Sequence, residues 1–143
     1  MKKFFIFFVL IYAILNFKSL HPFPKKYNPE NANQEDNNTV NWSNHKNKHV
    51  APKNIPWKKI VSSTKKGPAK YAPDNNVEEL ERFTWENGAE TKNNSSAKVF
   101  DFENIIGASK GEETSCCRVE LDATDTIHGH PIPCEEYKKH TKS

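Results

Sequence analysis

Cys116-Cys117-Arg118-Val119-Glu120-Leu121 and Thr126-Ile127-His128-Gly129-His130-Pro131, with residues 122–125 between them, read as two β-strands joined by a tight loop. Side chains alternate across a strand, so Cys117, Val119 and Leu121 share one face while Arg118 and Glu120 take the other. On the second strand Ile127 points one way, and His128 and His130 point the opposite way. Burial sets the register. Pairing Leu121 with Ile127 keeps both on the core side and leaves a short loop, Ala123-Thr124-Asp125. Glu120 then faces His128, Gly129 faces Val119, and Arg118 faces His130. A one-residue slip would set Ile127 beside Glu120 and break the pattern.

Upstream of this hairpin, segments around Ala97–Phe102, Asn104–Ala108 and Thr114–Leu121 are separated by Asn, Ser, Gly and Asp clusters, the spacing of an antiparallel meander. Before them, Asp74-Asn75-Asn76 and Val77-Glu78-Glu79 supply cap residues and first-turn acids for a helix. Val77, Leu80, Thr84 and Trp85 lie on one side of it, Phe83 widens the arc, and Gly88 supplies the stop. The reading is a small α+β domain over residues 56–143, one main helix packed on an antiparallel meander of about four strands.

The chain has 143 residues and an apolar fraction of 35%, against roughly 45–50% in globular proteins. That excludes a multi-domain enzyme and a large Rossmann or barrel core. Residues 4–15, FFIFFVLIYAIL, follow Lys2 and Lys3 and have the form of a secretory signal, so residues 1–20 are read as a signal peptide. The run is short for a bilayer span of ~20 residues, but no A-x-A cleavage motif follows it, which keeps an uncleaved N-terminal anchor open. The expected location is secreted. Residues 21–55, rich in Asn and Pro and poor in branched apolar residues, read as a disordered linker.

Charge divides along the same lines. Residues 57–143 carry 13 basic against 15 acidic side chains, so the domain is not basic overall and a simple electrostatic nucleic-acid binder is disfavoured. Lys58, Lys59, Lys65, Lys66 and Lys70 nevertheless fall together with no acid among them. They read either as a solvated face or as a phosphate-facing strip, with Lys65, Lys66 and Lys70 as candidate substrate-binding residues.

The hairpin places a carboxylate, an arginine and two imidazoles on one exposed sheet face. These groups suffice for metal-independent RNA cleavage, with no cofactor. One group takes the 2′-hydroxyl proton, a second protonates the leaving 5′-oxygen, and a cation stabilises the charged phosphorane. His128 and His130 are the candidate proton-transfer residues. Glu120 is the candidate orienting group for His128, and Arg118 the phosphate fork. The competing readings are an inert, solvated strand face on a secreted binding module (an inhibitor or surface-interaction domain) and a zinc site built from His128, His130 and Cys134, for which no fourth ligand is evident. A Cys116–Cys134 bridge is open at the outer limit of diagonal strand geometry, with Cys117 left as a core thiol.

Gly67-Pro68-Ala69-Lys70-Tyr71, then Asn76-Val77-Glu78-Glu79-Leu80-Glu81 with Trp85 and Gly88, Ile105-Ile106-Gly107-Ala108, Arg118-Val119-Glu120 and Ile127-His128-Gly129-His130-Pro131 form an ordered set over residues 57–139. The set resembles the C-terminal toxin domains of bacterial polymorphic toxins, many of which are small ribonucleases. The resemblance implies RNA as substrate and an immunity protein as partner. It assigns no catalytic residue by motif. The chain departs from those toxins in carrying only a signal and a linker where they carry a large delivery region.

Overall fold

The structure, a computed structural model, describes residues 26–28, 30 and 40–142. The signal segment and most of the Asn/Pro-rich stretch lie outside the described residues.

The fold is α+β, with two sheets and three α-helices among the described residues. In chain order the elements are β1 (Asn41–Trp42), α1 (Trp57–Ser63), β2 (Lys70–Tyr71), α2 (Val77–Asn87), β3 (Ala89–Thr91) and β4 (Asn94–Asp101). They continue with β5 (Gly107–Ser109), β6 (Glu112–Thr114), β7 (Cys116–Leu121), β8 (Thr126–Ile132) and α3 (Cys134–Thr141). The main sheet has the order β1-β8-β7-β4-β3, and a smaller one has the order β2-β5-β6. The molecule is therefore richer in strands than a four-strand meander. Residues 104–108 leave the main sheet for the second one, so β7 pairs with β4 directly.

The main helix, α2, starts and stops where its sequence says. The Asn76 side chain accepts the Glu79 backbone N–H at 3.3 Å, and Glu78 and Glu79 occupy the positive end of the helix dipole. At Gly88 the chain turns so tightly into β3 that a Cβ would meet the Thr84 and Val99 carbonyl oxygens at 2.4 and 2.8 Å. Only glycine fits there. The helices α1 and α3 escape the periodicity reading because they are short; a proline caps each start, Pro56 and Pro133.

The helix α2 covers one face of the main sheet. Leu80, Tyr71, Phe102, Ile106, Cys117, Val119 and Ile127 form the core between them. Alternation sends Val99, Cys116 and Ile132 to the opposite face, where Cys134 and Tyr137 from α3 cover them. A Cys116–Cys134 disulfide, with Cα atoms 5.3 Å apart, fastens α3 to β7, and Cys117 is the free core thiol.

The chain folds earlier than its composition suggests. Residues 40–55, read from sequence as linker, belong to the folded unit. Asn41 and Trp42 pair in parallel with Thr126 and Ile127, extending the main sheet by one edge strand. Tyr27, further upstream, packs edge-on against Phe83 and Phe102 and donates its hydroxyl to Glu79 at 2.6 Å. Composition misled because a few aromatic side chains, each finding a partner in the domain, anchor a stretch that has no periodicity of its own.

Candidate functional site

The β7–β8 hairpin has the register that burial demands: Leu121 pairs with Ile127, Glu120 with His128, Val119 with Gly129, and Arg118 with His130. Its loop closes with Asp125 in the left-handed region (φ 53°) and with Asp122 accepting the Thr124 and Thr126 N–H groups at 2.8 and 3.1 Å. This is the three-residue hairpin geometry in which a left-handed residue completes the turn. Arg118, Glu120, His128 and His130 therefore share the sheet face turned away from α2, all of them half-buried.

A second pair of imidazoles joins them. After β1, His45, Lys46 and Asn47 adopt φ of 48°, 54° and 59° in succession. Three consecutive left-handed residues without glycine are costly, roughly 1–2 kcal/mol each where the side chain offers no local compensation. Here Asn44 holds the turn, accepting the Lys46 N–H at 3.1 Å and donating to Asn47 Oδ1 at 3.0 Å. The result lays His45 over His128, ring centroids 4.0 Å apart and 17° from parallel. Four residues on, His49 lies over His130 at 5.3 Å and 27°. His49 is fixed at two points. Its backbone carbonyl accepts the Tyr71 N–H at 2.7 Å, and its Nδ1 lies 2.7 Å from the Ala69 carbonyl oxygen. Because a carbonyl only accepts, Nδ1 carries the proton and neutral His49 keeps its lone pair on Nε2.

Burial governs the electrostatics. It pushes His130 down to about 4, assisted by the neighbouring His49 and opposed by Glu120. Burial likewise lowers His128, with His45 adding to the effect, and lowers His49 against the opposing Ala69 hydrogen bond. These three imidazoles are thus disposed to be neutral proton acceptors at pH 7. His128 Nδ1 is buried without a hydrogen-bond partner. Arg118 is held in a carboxylate clamp: Glu120 Oε1 receives its Nη2 at 2.6 Å and Nε at 2.9 Å, and Glu136 of α3 lies 3.6 Å from its Nη1. Glu120 lies opposite His128, as the register requires, but its carboxylate is engaged by Arg118.

Of the lysines singled out from sequence, Lys70 reaches the site: it stands close enough to His49 to oppose its protonation, and its Nζ donates to the Lys48 carbonyl oxygen. Lys65 lies against Gly111 in the β5–β6 turn, and Lys66 follows it in an exposed turn after α1. These two belong to the second sheet's end of the molecule. The zinc arrangement of His128, His130 and Cys134 does not form, since the Cys134 sulfur is bonded to Cys116. Among the described residues, the potential ligand atoms gathered within 4.8 Å of one another are those of Asp101, Cys116 and Cys134.

His45 and His49 are the members of the face that sequence reasoning missed. The only signal was Trp42 followed by two histidines four residues apart in Asn/Lys-rich text. Neither spacing nor composition says which surface they cover. The chain matches no family model, no curated protein and no solved structure.

Proposed function

We propose that this face is the active centre of a metal-independent ribonuclease, acting as the effector domain of a secreted toxin. Support comes from one observation above the rest: two strand histidines, His128 and His130, each stacked under a second imidazole and flanked by Arg118. A neutral His130 or His49 takes the 2′-hydroxyl proton, and the oxygen attacks the adjacent phosphorus. The small fraction of His128 that is protonated at neutral pH gives its proton to the departing 5′-oxygen, leaving a 2′,3′-cyclic phosphate. Stacked imidazoles suit such a division, because a charge on one ring lowers the proton affinity of its neighbour. Arg118 binds the phosphate by exchanging a carboxylate for it, and Lys70 adds charge beside His49.

The test is purified full chain with total RNA, with and without EDTA, followed by analysis of the product ends. Cleavage that survives chelation and leaves cyclic phosphate is the expected result. His128→Ala and His130→Ala should each lower the rate by about 10²–10⁴-fold, the usual worth of a proton-transfer group. No cleavage by the folded chain, or full activity in both variants, overturns the proposal. The secreted binding-module reading draws on the Arg118 clamp, which occupies the cation this chemistry needs; it predicts a folded chain inert toward RNA.

A further inference from the structure

Behind the histidine face, on the core side of the sheet, Glu81 of α2 is only 2% exposed. A buried carboxylate is costly unless its oxygens are fully used, and here three donors from three different strands converge on it. Trp42 in β1 donates its indole N–H to Oε2 at 2.8 Å. Tyr71 in β2 and the backbone N–H of Gly129 in β8 supply the other two hydrogen bonds. The third has a particular cause. Ser43 N–H donates to the Ile127 carbonyl, so β8 turns that residue's polar groups toward β1. Alternation points the Gly129 N–H the same way, past the point where β1 has ended. That orphan donor is satisfied by Glu81. Gly129 itself must be glycine for this approach, because a Cβ there would stand 3.1 Å from Glu81 Cδ and 2.6 Å from the Arg118 carbonyl oxygen.

Each of the three donors is also a mounting point for the face on the other side. Gly129 separates His128 from His130. Trp42 ends the strand that leads into the left-handed turn carrying His45. Tyr71 donates its backbone N–H to the His49 carbonyl. We propose that Glu81 is the positioning residue of the histidine face, its carboxylate tying together, from the buried side, β8, which carries His128 and His130, β1, which leads into His45, and β2, to which His49 is hydrogen-bonded. The titratable groups facing it are Tyr71 and Cys117, whose hydroxyl and thiol lie 3.0 Å apart; burial raises both, so they stay neutral and leave the carboxylate as the group that ionises. Burial pushes Glu81 itself up to about 7, against the three hydrogen bonds that hold it down.

The test is magnetic resonance on labelled full chain, a readout that does not depend on RNA cleavage. In the native protein the Trp42 indole N–H and the Gly129 amide should move together along one titration curve with a shared midpoint near 7. Glu81→Gln keeps the shape but sets an NH2 against donors. It should abolish that shared transition and displace the ring signals of His49, His128 and His130. Leu80→Ala, one residue away in the same core, should lower the melting temperature and leave those ring signals in place. Unmoved imidazole signals in folded Glu81→Gln would overturn the proposal. If that variant does not fold, the native titration decides alone, and separate or absent transitions at Trp42 and Gly129 would overturn it.

Discussion

The β7–β8 hairpin and the segment from Val40 to Val50 each contribute two histidines to the same face, yet they are built on opposite principles. The hairpin is specified locally. Its apolar residues alternate, its loop length selects a turn, and burial of Ile127 behind Leu121 leaves one register. The upstream segment is specified by what it touches. Two residues of parallel pairing, one indole hydrogen bond to Glu81 and two imidazole stacks hold it, and its turn runs through three consecutive left-handed residues, of which Lys46 is the one with no intrinsic tolerance for that conformation. Proteins tolerate such strain where surrounding contacts over-determine it, and those places are often functional. The comparison teaches that the domain proper could be read as a fold while half of its candidate site stayed invisible.

The strongest way to break this comparison is to remove the upstream segment. A chain beginning at residue 56 loses β1, the Trp42 bond to Glu81 and both stacking histidines. It would leave a buried carboxylate short of a donor and an open β8 edge. The expected loss is several kcal/mol, comparable to the whole stability of a domain this small. No cooperative thermal transition should remain in the short chain. Limited proteolysis of the full chain should correspondingly spare residues 40–55. A short chain that melts like the full one would show that the hairpin stands without its partner.

Legibility followed the same divide. The helix α2 was readable from Asn76, Glu78 and Gly88, because cap, dipole and stop are all local signals. The facing of Arg118 and Glu120 toward His130 and His128 was readable because strand alternation has a fixed period. Nothing local marks residues 104–108 as leaving for a second sheet, since pairing with β2 is a contact between distant parts of the chain. His45 and His49 were unreadable for the same reason. Glu120 was read as a partner for His128, but an arginine two residues away on its own strand face is the better donor, and it takes the carboxylate.

Reduction of the Cys116–Cys134 bridge should strike the hairpin end and spare the upstream segment. The crosslink spans 18 residues, and the chain-entropy account gives about 3 kcal/mol for a loop of that length. The paired variant Cys116→Ser/Cys134→Ser should melt lower, with Arg118 losing its contact to Glu136 as α3 loosens. The Trp42 indole signal should not move. A shift there would show that α3 and β1 are coupled through the sheet.

Acidity tests the two regions together, and the signs oppose. His130 is lowered from 6.5 to about 4, and His49 and His128 are lowered as well, so the stability they contribute is present above about 6.5 and is lost as the pH falls toward 4. Glu81 is raised from 4.5 to about 7, so its contribution is present below 4.5 and is lost as the pH rises through 7. Three imidazoles outweigh one carboxylate. Denaturant melts across a pH series should therefore show stability climbing to about 6.5, then slipping slightly toward 7. Glu81→Gln should remove the decline and keep the climb. A wild-type profile that rises without a dip through pH 8 would place Glu81 in its ordinary range.

The smallest effect separates the two turns. Lys46 and Asp125 both sit at left-handed φ, 54° and 53°. In the hairpin loop Asp125 tolerates that conformation well, because aspartate is among the residues that visit it. Lysine has no such tolerance, and Lys46 is exposed in a turn held mainly by Asn44. Glycine relieves the steric cost of the left-handed region but gives up roughly 0.5–1 kcal/mol of chain entropy. Lys46→Gly should therefore be stabilising by up to about 1 kcal/mol, while Asp125→Gly should be close to neutral. The stack distinguishes stability from function. If the strained turn serves to press His45 onto His128, Lys46→Gly should raise the melting temperature and at the same time broaden the His45 ring signal. A variant that is more stable and holds His45 as firmly as the native chain would mean that the left-handed turn is only a route between β1 and His49, and that the His45–His128 stack does not depend on it.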